Sequence, residues 1–277
     1  MYEEYWSLNA KPFENTPDPR FIYYSKEHEE ALLRMMYAIK EEKGAAMLTG
    51  IWGSGKTLLS RVIIDELIKN KIYDIALITY PQLTALQFMQ EIVYQLGENS
   101  SSKDSKPMVL HQLQTKIYKN FKEGKKTVFI VDEAQIIKDE ETFEELRLLL
   151  NFQLNNKFLL TLVLIGQPEL IQKVSNIPQL EQRIGIKFHL EGLSKADTEK
   201  YVTHRLSVAG LENNIFTQEA IDIIYDYSEG LPRKINNACD LALLIGFGQE
   251  VKQVDKKLVK YVIDDLGKKA DNYAKNV

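Results

Sequence analysis

A chain of 277 residues, 44% hydrophobic and 27% charged, has the composition of an ordinary globular protein; a disordered or fibrous chain is excluded. The net charge of −4 supplies no global attraction for nucleic acid, although a local basic stripe would escape that test. The single cysteine, Cys239, rules out an internal disulfide, and neither a CxxC pair nor metal-ligand spacing among the four histidines is present, so a reducing compartment is expected.

The opening Met1-Tyr2-Glu3-Glu4-Tyr5-Trp6 lacks a basic segment followed by an apolar run, and no later apolar stretch is long enough to span a bilayer. The expectation is a cytoplasmic protein without membrane insertion. Residues 1–25 are aromatic and punctuated by Pro12, Pro17 and Pro19, which bar a regular helix or central strand. They read as an extended arm packed on the core. Ser25 is placed to cap a helix to about Glu42, with Ala31, Leu32, Met35, Met36 and Ile39 on one face.

Alternation follows. Strands are predicted at Ala45–Thr49, Ile75–Tyr80, Thr127–Val131 and Phe158–Ile165, with a last short one near Ile186–Leu190. Helices are predicted at about Lys56–Lys69, Thr84–Leu96 and Val109–Lys122, and the polar stretch 97–107 reads as a mobile loop. Apolar strands alternating with amphipathic helices predict a parallel sheet covered on both faces. After Gly192 only helices are expected: one capped by Ser194 with Asp197 three residues on, one capped by Thr217, then about Arg233–Ile245 and Asp255–Leu266. The expected organisation is an arm (1–25), an α/β core (26–192) and a helical domain (193–277), without internal repeats.

Two motifs carry chemistry. Gly50-Ile51-Trp52-Gly53-Ser54-Gly55-Lys56-Thr57 matches GxxxxGK[ST], directly after a strand and opening a helix, and Leu58 follows it. Glycines let backbone N–H groups turn toward an anion, and the helix N-terminus adds partial positive charge. In such a loop Lys56 reaches the β- and γ-phosphates and the Thr57 hydroxyl binds magnesium. A chance glycine-rich turn is the competing reading, and the strand before and helix after it argue against chance. Downstream, the apolar strand Val128–Val131 ends in Asp132-Glu133. Carboxylates at strand tips are commonplace for solvation, but the carboxyl ends of parallel strands form the ligand crevice. Below a full phosphate loop, Asp132 is placed to hold magnesium through water and Glu133 to orient and deprotonate an attacking water. ATP and Mg2+ are the implied ligands.

Further motifs run along nearly the whole chain: Tyr5…Leu8…Lys11-Pro12-Phe13…Thr16-Pro17-Asp18-Pro19-Arg20-Phe21, His28…Ala31-Leu32, Asp132-Glu133-Ala134-Gln135, Ile165-Gly166-Gln167-Pro168-Glu169-Leu170, Leu180…Gln182-Arg183-Ile184, Tyr201…His204-Arg205-Leu206…Ala209-Gly210 and Gly230-Leu231-Pro232-Arg233…Asn236. In these the chain resembles the AAA+ ATPases of the general secretion pathway protein A (ExeA) family, which are related to transposon target-selector ATPases. The resemblance implies an AAA+ P-loop core with a C-terminal helical lid, and it implies further roles. Gln167 matches the sensor-1 position, Arg183 the arginine finger that enters a neighbouring subunit's site, and Arg233 the sensor-2 arginine that reaches the same subunit's ATP. Bland alternatives stand beside each: Gln167 as a helix cap, Arg183 and Arg233 as surface ion pairs.

The chain also departs from the family. Many relatives carry a transmembrane segment and a peptidoglycan-binding domain after the ATPase, and the sequence to Val277 shows neither, which weighs against an envelope role. Leu58 stands where relatives often have a second Thr. Trp52 is bulky for the loop, with the sheet or a neighbouring subunit as packing surface. Tyr24 and His28 precede the loop where AAA+ proteins often contact adenine; core packing is the equal alternative. Lys116, Lys119, Lys122, Lys125 and Lys126, and Lys252, Lys256, Lys257 and Lys260, form basic clusters that read first as solvated faces, interrupted by Glu123 and Asp255. Cys239 reads as core.

Three functions fit: an ATPase working as a homo-oligomer, ring or filament, in assembly of a secretion or pilus-type system; a DNA-binding regulator that recruits a transposase; and a nucleotide-switched scaffold with negligible turnover. ATP/ADP is the partner common to all three. A protein of a secretion or transposition system, and double-stranded DNA, belong to the first two.

Overall fold

The computed structural model describes residues 1–99, 101, 103–211 and 213–274. The expected mobile loop 97–107 includes Ser100 and Ser102, which lie outside the described residues. The chain divides into two compact units: residues 26–52 with 59–190, and residues 1–25 with 53–58 and 191–277.

The first unit is an α/β layer structure. In chain order it contains α1 (Lys26–Lys40), β1 (Ala45–Gly50), most of α2 (Lys56–Lys69), β2 (Tyr73–Ile78), α3 (Ala85–Gln95), α4 (Lys106–Lys122), β3 (Lys126–Val131), α5 (Glu140–Leu149), the two-residue strands β4 (Gln153–Leu154) and β5 (Lys157–Phe158), β6 (Leu160–Gly166), α6 (Glu169–Ser175), α7 (Pro178–Glu181) and β7 (Ile184–Leu190). The main sheet has five strands in the order β2-β3-β6-β1-β7, and every pairing is parallel. β1 and β6 are apolar runs buried at every position, as strands covered on both faces must be. The edge strand β7 instead is buried only at its ends and alternates between exposed and half-buried positions along its middle.

Register decides what this sheet can present. Thr49 pairs with Gly166, and Val131 with Leu164, so β1, β3 and β6 finish at the same edge of the sheet. At the start of the strands Ala45 pairs with Ile184, so the residue before β7 lies at the opposite edge.

Helix ends follow local chemistry. Thr84 and Gln87 form a reciprocal capping box on α3, and the Asp139 carboxylate accepts from the Glu141 amide to start α5. The sequence pattern assigns no element between 134 and 157, so α5 and the β4–β5 hairpin are new features, and Phe158, expected to open the fourth strand, instead ends β5.

The second unit holds α8 (Lys195–Val208), α9 (Gln218–Ser228), α10 (Pro232–Gly248) and α11 (Lys256–Ala274). Ser194 and Thr217 cap α8 and α9 through the Asp197 and Ala220 amides. The side chains of the N-terminal arm enter the core of this helical unit. Tyr2, Trp6, Leu8, Phe13 and Phe21 are buried among Tyr201, Leu206, Ile235, Ala242 and Val259. Hydrogen bonds fix the register: Trp6 Nε1 donates to the Leu243 carbonyl at 2.9 Å, Tyr5 Oη to the Val251 carbonyl at 2.7 Å, and the Asn9 backbone N–H to the Ala209 carbonyl at 2.7 Å. Cys239 is fully buried here, and burial pushes its thiol well above the ordinary range.

Among the described residues no helix is long and apolar enough to cross a membrane.

Candidate functional site

The loop between β1 and α2 turns through glycines with left-handed backbone. Gly53 has φ +85° and Gly55 φ +102°, a region that side chains resist. Amides turned in this way form a concave anion nest that leads into the first turn of α2. Lys56, at the first position of α2, is 5% exposed, and Ser54 is fully buried, while Thr57 faces outward. Trp52 is 64% exposed, so its indole is not packed into the sheet.

Gly53 also meets the start of α10, which belongs to the same compact unit. The Arg233 amide donates to the Gly53 carbonyl at 3.3 Å, and a methyl group at Gly53 would sit 2.9 Å from Arg233 Cβ. The backbone of the predicted sensor-2 arginine is thus seated against the loop.

β3 delivers the acidic pair. The Asp132 amide donates to the Ile78 carbonyl at 2.9 Å, which extends the β2–β3 ladder one residue beyond the strand. Asp132 is 4% exposed, and its Oδ1 accepts from the Glu133 amide at 2.9 Å. A carboxylate this buried is costly unless hydrogen-bonded or paired with a cation. Glu133 then takes a left-handed conformation, φ 52° and ψ 36°, that non-glycine residues rarely adopt. Its Oε2 accepts from Gln135 Nε2 at 2.5 Å. Gln167 follows the tip of β6, and its amide donates to Gln135 Oε1 at 3.0 Å. Glu133 and Gln167, predicted separately from sequence, are therefore joined at one edge of the sheet through Gln135, to which the sequence motifs assigned no role, and Asp132 is tied to the same group through the Glu133 amide. The spacing of Gln135, two residues after Glu133, was the available signal.

Arg183 lies elsewhere. It immediately precedes β7, and the seven residues of that strand put it on the order of 20 Å from the edge where β1 and β6 end. Its guanidinium donates to the Leu150 carbonyl at 3.0 Å and to Asn151 Oδ1 at 2.7 Å, at the end of α5. Tyr24 is 42% exposed, whereas His28 is 6% exposed.

Among the described residues no group of three or more His, Cys, Asp or Glu side chains is arranged to hold a metal ion. Magnesium does not need one: it commonly takes one or two protein ligands and completes its shell with water and substrate phosphates. A hydroxyl at Thr57 and a carboxylate at Asp132 are oxygen donors of that kind, so the residues present fit a nucleotide-borne ion.

Comparison with known proteins agrees with this architecture. An AAA domain family profile matches residues 39–174. The ORC2 protein of Aeropyrum pernix, solved in ADPNP–ADP complexes, superposes with a TM-score of 0.68 at 17% identity, over 92% of this chain and 71% of that one. The RuvB Holliday junction branch migration motor of Thermotoga maritima superposes with a TM-score of 0.57 at 19% identity, over 86% of this chain and 69% of that one. At these identities the structural likeness speaks for the fold alone, and that fold is the AAA+ P-loop fold. In sequence, the chain is 36% identical over 271 residues to general secretion pathway protein A of Aeromonas hydrophila, which covers 96% of this chain and 49% of the relative. Along nearly its full length the chain is similar to general secretion pathway protein A, and it spans about half the length of that relative.

Proposed function

We propose that this protein binds ATP with magnesium and hydrolyses it, and that it does so as a homo-oligomer whose nucleotide cycle powers or regulates assembly of a secretion or pilus-type system. The observation that carries the reading is the shared edge of the sheet. A phosphate-type loop follows β1, an acidic pair follows β3, and Gln167 follows β6.

In this reading the amides of residues 50–58 and the Lys56 ammonium hold the phosphates. Thr57 and Asp132 hold magnesium, which when bound neutralises charge that develops on the phosphate oxygens. Glu133 accepts a proton from the attacking water, and Gln167 contacts that water or the γ-phosphate. Arg233 reaches the nucleotide of its own chain. Arg183 serves a neighbouring copy, because the far edge of the sheet keeps it from its own site. The secretion role is supported by relatedness along nearly the full chain to general secretion pathway protein A. A DNA-directed role is weakened at two lysines of the first basic cluster, since Lys116 pairs with Asp74 at 3.1 Å and Lys125 with Glu123 at 2.9 Å.

The test is specific ATPase activity against protein concentration, for wild type and Arg183→Ala. Activity is expected to rise with concentration and to drop by about 10³-fold in the variant, the lower range for loss of a trans arginine. Activity that is flat with concentration and unaffected by the substitution would defeat the oligomeric arrangement.

A further inference from the structure

We propose that Gln135 is a positioning residue of this site: its side-chain amide ties the carboxylate of Glu133 to the backbone amide of Gln167, and so aims the base relative to the tip of β6. The proposal rests on the reading of Glu133 as the base that activates water.

The amide is engaged at both ends. Nε2 donates to Glu133 Oε2 at 2.5 Å, and Oε1 accepts from the Gln167 amide at 3.0 Å. Both partners impose the same orientation: a carboxylate only accepts, and a backbone N–H only donates, so a flipped amide would break both bonds. The donor to Glu133 meets an ionised group, which makes that bond short and strong.

The surroundings are built to hold this side chain. Lys173, on α6, donates from Nζ to the carbonyls of Gln135 and Ile137, each at 2.6 Å, and pins the backbone of the turn. Gly166 lies directly beneath the amide: a Cβ there would come 2.6 Å from Gln135 Oε1 and 2.9 Å from a Leu170 methyl. Only glycine lets the amide approach. The left-handed Glu133 backbone is a strained conformation that surrounding contacts must sustain, and the Gln135 amide is one such contact on its side chain. Without it the carboxylate rotates freely about χ angles that the backbone does not fix, and loss of aim by about 1 Å is enough to cost roughly 10²-fold in rate.

The experiment is single-turnover ATP hydrolysis, with affinity for N-methylanthraniloyl-ATP measured in parallel, for wild type, Gln135→Leu, Gln135→Glu and Glu133→Gln. Gln135→Leu removes both bonds. Gln135→Glu keeps the shape and the acceptor for Gln167 but sets a second anion against Glu133, so it stays informative should the leucine variant fold poorly. Both Gln135 variants are expected to lose about 10- to 100-fold in hydrolysis rate with nucleotide affinity within about twofold of wild type. A wild-type rate in Gln135→Glu, with Glu133→Gln inactive, overturns the positioning role alone. So does a rate loss matched by an equal loss of affinity, the mark of a merely structural residue. A wild-type rate in Glu133→Gln overturns the assignment of the base, and the proposal falls with it.

Discussion

Replacing Arg205 by methionine should detach the arm from the helical unit. Arg205 is 5% exposed, and its guanidinium is shared by both parts of that unit. Nε donates to the Pro12 carbonyl, Nη2 to the Glu14 carbonyl at 3.1 Å, and Nη1 to Tyr201 Oη at 2.7 Å. The Phe21 and Tyr201 rings lie 5.0 and 5.5 Å from Cζ. Hydrogen bonds to a charged group contribute about 1.5–3 kcal/mol each. Removing the cation also removes its desolvation cost, which offsets part of that sum. Methionine keeps most of the volume, so the cavity term is small. The orphaned arm carbonyls and the lost cation–π contacts leave a net destabilisation of about 2–4 kcal/mol. Trp6 is a built-in reporter, since its indole is buried in the same unit. In a Trp52→Phe background it is the sole tryptophan, because the chain has two. Urea unfolding followed by Trp6 fluorescence should show the midpoint fall, with the arm becoming sensitive to protease first. A loss under about 0.5 kcal/mol would refute the view that this cation clamps the arm.

Two other perturbations test separate parts of the structure. Burial, reinforced by the hydrogen bond to Asp240 and its charge, pushes the Tyr2 hydroxyl far above the usual tyrosine range. The folded state therefore keeps a proton that the unfolded chain releases, so its stabilisation is complete below about pH 10 and declines as pH rises beyond it; Tyr2→Phe should flatten the alkaline limb of a urea-midpoint profile, and an identical limb would exclude Tyr2 as its source. Gly53→Ala combines a φ of +85° with a 2.9 Å approach to Arg233 Cβ, so it should cost about 1 kcal/mol of stability and weaken nucleotide binding, as read by calorimetry; full affinity would mean that the loop does not depend on this backbone turn.

What the sequence revealed follows from how local each feature is. The phosphate-type loop is written in consecutive residues, and the central strands β1, β3 and β6 are largely apolar runs, so both were legible. α5 was not. Its apolar positions, Phe143, Leu146 and Leu149, are buried at helical spacing, but Lys138-Asp139-Glu140-Glu141 before them gives the segment the look of a polar loop. The Asn155-Asn156 turn of the β4–β5 hairpin joins strands too short to show a period. The arm's aromatics announced packing without naming the surface, because Trp6 and Leu243 are 237 residues apart. Gln135 escaped for a related reason: a side-chain amide joining two strand tips leaves no trace in hydrophobic pattern.

Lys56 and Glu133 carry the central steps of the proposed chemistry, and the direct measurement is steady-state ATP turnover with magnesium in wild type, Lys56→Ala and Glu133→Gln, beside nucleotide affinity for each. Wild type should turn over, Lys56→Ala should bind ATP poorly, and Glu133→Gln should bind it while losing about 10²- to 10⁴-fold in rate. Turnover unchanged in both variants, with the fold intact, would contradict the site.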